Sequence, residues 1–302
     1  MSARHMLDML LLAALWGSSF LFMRIAVPEF GVAPLIELRV IIATLTLLPL
    51  MLLHHSWGAF KGQWLPLGIA GLFNTALPFC LIAYALLTIP SGIGSILNAT
   101  TPMFGALIAY LWLSERLTRA RVLGLCIGFL GVALLVSDRI GIGEGYGLAI
   151  AASLLATCSY GFAANSVRKY GQGVKPLVMA TGSQIIASLL LLPLALLFWP
   201  ATPPSLSAWI SVIILGIGPT GLAFILYFRL IGEIGAARTT TVTFLIPVFG
   251  MAAGVLFLNE SLTFAMLVGT PVIVLGTALA AGIVKLDRLE RKTTATDPTT
   301  GQ

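Results

Sequence analysis

Residues 102–118 read PMFGALIAYLWLSERLT, and residues 247–263 read PVFGMAAGVLFLNESLT. The strings lie 145 positions apart and share Pro102/Pro247, Gly105/Gly250, Leu113/Leu258, Glu115/Glu260 and the pair Leu117-Thr118/Leu262-Thr263. The same offset brings Trp64 onto Trp209, Gly71 onto Gly216, Phe79 onto Phe224, Gly124 onto Gly269 and Gly131 onto Gly276. At an offset of 144, Trp16-Gly17 falls on Tyr160-Gly161, Arg24 on Arg168 and Pro49 on Pro193. Self-similarity of this length over the chain marks a duplicated unit.

What that unit is follows from composition. Of 302 residues, 58% are hydrophobic and 9% charged. A soluble chain carries roughly 25% charged residues. The medium is therefore lipid, which admits only helices and closed barrels because backbone groups must be satisfied internally. A barrel would alternate apolar and polar residues, whereas residues 41–53 and 189–199 are apolar all round. The sequence thus predicts an all-α integral membrane protein. Windows able to span about 30 Å of hydrocarbon fall at 7–26, 33–53, 64–87, 91–113, 119–137, 145–167, 176–199, 208–230, 235–258 and 264–285. The first, behind Arg4, has the outline of a signal peptide, but its apolar run is long and no cleavage site follows. It also pairs with the sixth window in the repeat, so we read it as a retained helix. The expected organisation is a five-helix repeat over 1–140, a second over 141–286, and a disordered cytoplasmic tail over 287–302.

Five spans is an odd number, so the copies cross in opposite senses. With the N-terminus inside, fourteen basic residues fall on inside faces, among them Lys61, Arg116, Arg119, Arg121, Arg168, Lys169, Lys175, Arg229 and Arg238. Only Arg24 and Arg139 fall outside, and Arg39 lies within the second span. This asymmetry predicts cytoplasmic termini in a bacterial inner membrane. An inverted repeat allows a central cavity to close from either side at similar energy, as in secondary transporters working by alternating access.

Several classes are disfavoured. The net charge of +6 is scattered through short loops, not gathered in a patch for nucleic acid. Cys80, Cys126 and Cys158 sit in apolar runs without CxxC spacing, which argues against a disulfide framework or metal site. No Gly-Lys pair exists, hence no Walker-type loop for ATP. The histidines (His5, His54, His55) and aspartates (Asp8, Asp138, Asp287, Asp297) lie at span ends, in loops or near the termini. No acid–base pair stands at mid-membrane, so neither an enzyme nor a cofactor is expected. A channel would need a continuous polar pore, for which there are few polar residues per span.

The strings LWGSSF (15–20), LIELRVIIATLTLLPL (35–50) and GLCIGFLGVALL (124–135), with the two quoted above and GTPVIVLGTALAAG (269–282), resemble the EamA family of the drug/metabolite transporter superfamily. The resemblance covers both repeats. It implies ten helices around a central cavity and export of amino acids, related metabolites or toxic compounds. Amino-acid export is the expected activity, with a multidrug exporter of the same fold as the alternative. It also implies that Arg39 matches an arginine common in the family.

The expected substrate-binding residues are the polar and aromatic positions placed inside spans by the repeat. Trp16 and Ser19 form a stripe on the first span and Tyr160 continues it on the sixth. Asn98 and Thr101 share a face of the fourth, opposite Thr243 on the ninth. Asn74 falls on Pro219, which sits in a Gly-Pro-Thr-Gly run that must interrupt the eighth helix. Glu115 and Glu260 precede new helices and are read as caps for the free amides there or as gates. Arg24, Glu37 and Arg39 are charges in or near hydrocarbon, read either as a salt-bridged staple between the first two spans or as functional groups. Gly124 and Gly128 form a GxxxG packing motif.

Overall fold

In a computed structural model, residues 2–53, 57–137 and 145–283 are described. Ten apolar helices run through them: α1 Ala3–Phe30, α2 Val32–Leu53, α3 Trp64–Ala85, α4 Ser91–Leu113, α5 Arg119–Ser137, α6 Tyr146–Tyr170, α7 Pro176–Leu197, α8 Leu206–Ile234, α9 Thr240–Leu258 and α10 Phe264–Ala280. The first nine are long enough to cross a bilayer, and α10 is shorter at 17 residues. One helical turn, Ala236–Thr239, leads into α9. No strand occurs among the described residues. The expected tail 287–302, Arg139 and the join at residues 140 and 141 lie outside them. Burial is inverted relative to a soluble protein. Leu206 and Phe264 are 76% and 79% exposed, while Ser91, Thr100, Gln184 and Thr220 are fully buried. The chain is a multi-pass membrane protein with an apolar outer surface and a partly polar interior.

The duplication is carried into local structure. In α3 the residues Ala70–Ala76 form a π-helical stretch, and in α8 the residues Gly216–Leu222 form another at the matching place. The α4 segment Thr101–Leu113 ends on Ser114 in the left-handed conformation (φ 56°), and Ile246–Leu258 of α9 ends on Asn259 (φ 52°). After each, the glutamate amide donates back into the helix: Glu115 N to Ala109 O (3.2 Å) and Glu260 N to Gly254 O (3.1 Å). Such a cap satisfies otherwise orphaned carbonyls and turns the chain sharply, so each glutamate is held at a helix end. Thr118 and Thr263 then cap the next helices, accepting from Arg121 N (3.3 Å) and Met266 N (3.2 Å).

Packing does not follow the sequence repeats. α1 packs on α8 and α9, and α2 on α8; equivalently, α6 packs on α3 and α4, and α7 on α3. The packing units are therefore α1-α2-α8-α9 and α3-α4-α6-α7, each mixing the two halves. In the pairs α2·α7 and α5·α10 a helix packs on its own repeat counterpart. Close crossings require glycine. A Cβ on Gly17 of α1 would lie 2.5 Å from Phe249 Cβ, and one on Gly161 of α6 would lie 2.7 Å from Gly105 N. At α5·α10, a Cβ on Gly276 would lie 2.3 Å from Gly128 N and one on Gly124 2.4 Å from Ala280 N. In lipid, where apolar burial drives little association, such backbone approach is the main source of helix adhesion. Gly276→Ala should therefore lower the thermal midpoint of the purified protein, by the equivalent of about 1–3 kcal/mol for overpacking. Gly147→Ala, with nothing within 4 Å of the added Cβ, should leave it unchanged.

Candidate functional site

A cavity of about 610 Å³ runs between the two packing units, walled mainly by α1, α3, α4, α6, α8 and α9, with Arg39 added from α2. Its walls repeat the sequence offsets. Trp16 lines the cavity together with its counterpart Tyr160, Asn74 with Pro219, Phe79 with Phe224, Ile82 with Tyr227, Asn98 with Thr243 and Thr101 with Ile246. Ser19 is also on the wall, its hydroxyl donating to Trp16 O at 2.6 Å. Trp16 and Tyr227 lie with ring centroids 5.2 Å apart. All seven polar and aromatic positions singled out from the sequence thus meet in one space. The mostly apolar walls, with few polar atoms, suit a ligand of apolar body and polar head.

Two of the walls are helices interrupted by proline, and in both a neighbouring hydroxyl repairs the ladder. Pro219 has no N–H for the carbonyl four residues earlier. That carbonyl, Leu215 O, accepts from Thr220 Oγ1 instead, at 2.8 Å. Pro102 likewise frees Asn98 O, which accepts from Thr101 Oγ1 at 2.8 Å. The breaks are therefore built features that bring Asn98 and Pro219 to the wall without an orphaned carbonyl.

Of the two readings open for the intramembrane charges, the salt-bridged staple is not what forms among the described residues. Arg24 donates to Leu86 O, just past the end of α3. Glu37 accepts from Ser188 Oγ of α7 at 2.6 Å. Arg39 donates through Nε to Thr220 Oγ1 (2.9 Å) and through Nη1 to Met23 Sδ (3.3 Å), with Cζ 3.8 Å above the Phe79 ring. Helical geometry explains the correction: residues two apart point to nearly opposite sides, so Glu37 faces α7 while Arg39 faces the cavity. Arg39 belongs to the wall.

The cavity's two ends differ. At one, Glu260 accepts from Ser91 N (2.7 Å), Ser91 Oγ (3.0 Å) and Gly92 N (3.1 Å). A carboxylate there meets free amides and the positive end of the α4 dipole. It caps α4 of the other packing unit, not the helix following it, which Thr263 already caps. Gly254 makes room, since a Cβ there would lie 2.3 Å from Glu260 Oε2. At the other end Glu115 lines the mouth with Arg121 and Arg168. Glu115 pairs with Arg168 and, at 3.9 Å, with Arg121. Nearby, Asp8 pairs with Arg229, and Glu233 with His5 (3.1 Å) and Arg229 (3.9 Å). Each ion pair at that mouth ties α1 to α8 or its own turn, or α6 to the α4–α5 junction. None joins the α1-α2-α8-α9 unit to the α3-α4-α6-α7 unit among the described residues. The Glu260 end is latched across the units and the Glu115 end is open.

A family model for EamA-like transporters matches the chain twice, over residues 5–137 and 147–282. The chain belongs to the EamA-like transporter family. Its family relatives include an uncharacterized transporter, YvbV, of Bacillus subtilis, 26% identical over 87% of each chain. A probable terminal-alkyne amino-acid exporter of Streptantibioticus cattleyicolor is 25% identical over 94% of each. The aromatic amino acid exporter YddG of Ancylobacter novellus is 30% identical over 53% of this chain and 62% of that one. A crystal structure with TM-score 0.66 and 22% identity, covering 97% of this chain and 99% of that one, has the same fold.

Sequence reasoning passed over the apolar wall, Phe20, Met23, Ile82, Tyr227 and Phe244, because such residues look like lipid-facing or packing positions. The repeat carried a usable signal, since Phe79 and Phe224 matched. The asymmetry of the two ends predicts solvent access. In a background lacking the native cysteines, Thr243→Cys on the wall should react with a water-soluble thiosulfonate at least about tenfold faster than Ser95→Cys. Ser95 is fully buried below the Glu260 latch, and reaction requires an accessible thiolate. Equal rates, read by mass spectrometry, would contradict a cavity open at one end.

Proposed function

We propose that this protein is a secondary transporter that exports amino acids from the cytoplasm across a bacterial inner membrane by alternating access, with both termini inside. The observation that carries the proposal is the unequal use of one repeated carboxylate. Glu260 is seated on the amides of Ser91 and Gly92, while Glu115 is paired with Arg168. In the repeat Ser91 falls on Ala236, the first residue of the turn leading into α9. In the opposite state Glu115 leaves Arg168 and caps the amides at Ala236, while Glu260 releases Ser91. The basic residues Arg116, Arg119, Arg121, Arg168 and Lys169 cluster at the open mouth, which supports reading that mouth as cytoplasmic. Relatives named as exporters of amino acids support the direction and the cargo.

The rocking parts are the two mixed units, and the latch is the contact that differs between states. Hydrogen bonds to a charged group contribute about 1.5–3 kcal/mol each, offset by desolvation of the carboxylate. Removing them shifts a two-state equilibrium by about tenfold or more.

Proteoliposome uptake of labelled amino acids, with and without a proton gradient, tests the function. Saturable uptake of a few, blocked by unlabelled competitor, is expected. Trp16→Ala, Asn98→Ala and Tyr160→Ala should each reduce it about 5–30-fold, for loss of one or two kcal/mol of binding, at unchanged abundance. Saturable uptake of organic cations with none of any amino acid would instead select the toxic-compound exporter.

A further inference from the structure

One wall of the cavity carries a charge that no acidic side chain among the described residues balances. Arg39 is 4% exposed, yet no carboxylate among the described residues pairs with it. Each described acid is engaged elsewhere: Asp8 and Glu233 by Arg229, Glu29 by Ser205, Glu37 by Ser188, Glu115 by Arg168 and Glu260 by Ser91. A guanidinium has five N–H donors in a planar fork. Two of the five are used, on Thr220 Oγ1 and Met23 Sδ, and Nη2 meets no acceptor among the described residues. Thr220 and the face of Phe79 orient the group without neutralising it.

The repeat sharpens the point. At the α2/α7 offset Arg39 falls on Ser183, which lies off the cavity and donates to Ala180 O. Trp16/Tyr160 and Asn98/Thr243 furnish both walls, but the cation stands on one wall only, so a ligand with one anionic end would be held in a single orientation. A second unused group stands at the same depth. Asn98 Oδ1 is buried without a hydrogen-bond partner. Asn98 is seven residues into α4 and Arg39 seven into α2, both counted from the latched end, or about 10 Å along each helix. The blind end of the cavity thus pairs an unanswered cation with an unanswered acceptor.

We infer that Arg39 binds the carboxylate of the cargo through its free N–H fork, and that Asn98 Oδ1 accepts from the cargo's ammonium. The site takes an α-amino acid zwitterion, head group toward the latched end and side chain among Trp16, Phe79 and Tyr160. This deepens the transport reading and rests on the cavity being the cargo site. A bidentate carboxylate suits arginine's planar fork, which a lysine ammonium replaces only as a point charge.

The test is calorimetric titration of the purified full chain with three matched probes: phenylalanine, phenylalaninamide and 3-phenylpropionate. Wild-type protein should bind both carboxylates, and phenylalaninamide at least about tenfold more weakly, as expected for a lost charge-assisted contact. Arg39→Gln should erase the preference for acid over amide, and Arg39→Lys should keep part of it. Asn98→Leu should weaken phenylalanine but not 3-phenylpropionate. An amide bound as well as the acid by wild type, or neither carboxylate bound, overturns the inference without relying on any variant. So does a preference that survives in R39Q. Charge-blind binding with amino-acid uptake intact would sink only the Arg39 assignment. Arg39-dependent binding without uptake would sink only the transport reading.

Discussion

Glu260, on the first amides of α4, is the contact on which this arrangement turns. It joins the turn after α9 of one packing unit to α4 of the other, and with Arg24 on Leu86 O it closes one end of the cavity. Everything needed to seat it is local. Asn259 in the left-handed conformation turns the chain, the Glu260 amide bonds back to Gly254 O, and Gly254 leaves space for the carboxylate. Its repeat mate Glu115 has the same turn at Ser114 but is held by Arg168, whose side chain is 56% exposed. Exposed ion pairs contribute about 0–1 kcal/mol, so Glu115 is held loosely. The two seats are not identical, because Ala109 stands where the second repeat has Gly254. A Glu115 latch of the same kind would thus have less room than Glu260 has.

Around this contact the protein divides into parts that hold and parts that slide. Backbone-close crossings at Gly17, Gly161 and the Gly124–Gly128–Gly276 cluster fix the units and the α5·α10 pair. The cavity walls, by contrast, are helices broken at Pro102 and Pro219, whose freed carbonyls are satisfied by Thr101 and Thr220. Satisfying those groups within the wall is what allows irregular backbone at membrane depth. It also lets Thr220 serve twice, repairing α8 and orienting Arg39.

Much of this is legible in the amino-acid sequence. Apolar windows set the helices to within a few residues, and the 145-residue offset identified pairs such as Asn98/Thr243 that share a cavity wall. Interruptions of α3 and α8 were visible as Asn74 against Gly-Pro-Thr-Gly, though not their π-helical form. Two things were not legible. The sequence halves are not the packing units, because α1 and α6 each pack chiefly on helices of the other half. The glutamates read as caps for the helices that follow them, whereas Glu260 reaches a helix some 170 residues away in the chain; threonines three residues on had taken the local role. Arg39 stayed open between a charged staple and a functional group, because sequence proximity to Glu37 hides the fact that the two side chains diverge.

The central claim is that the two ends are latched in turn by the same contact. Electron–electron spin-resonance distances between labels at Arg116 and Arg238, at the open end, and between Thr88 and Ser261, at the latched end, test it most directly. All four are exposed, and each pair bridges the two packing units. In Glu260→Ala relative to wild type, the account predicts a shorter Arg116–Arg238 distance and a longer Thr88–Ser261 distance, changing together. Unchanged distances at both ends, or both lengthening, would contradict it.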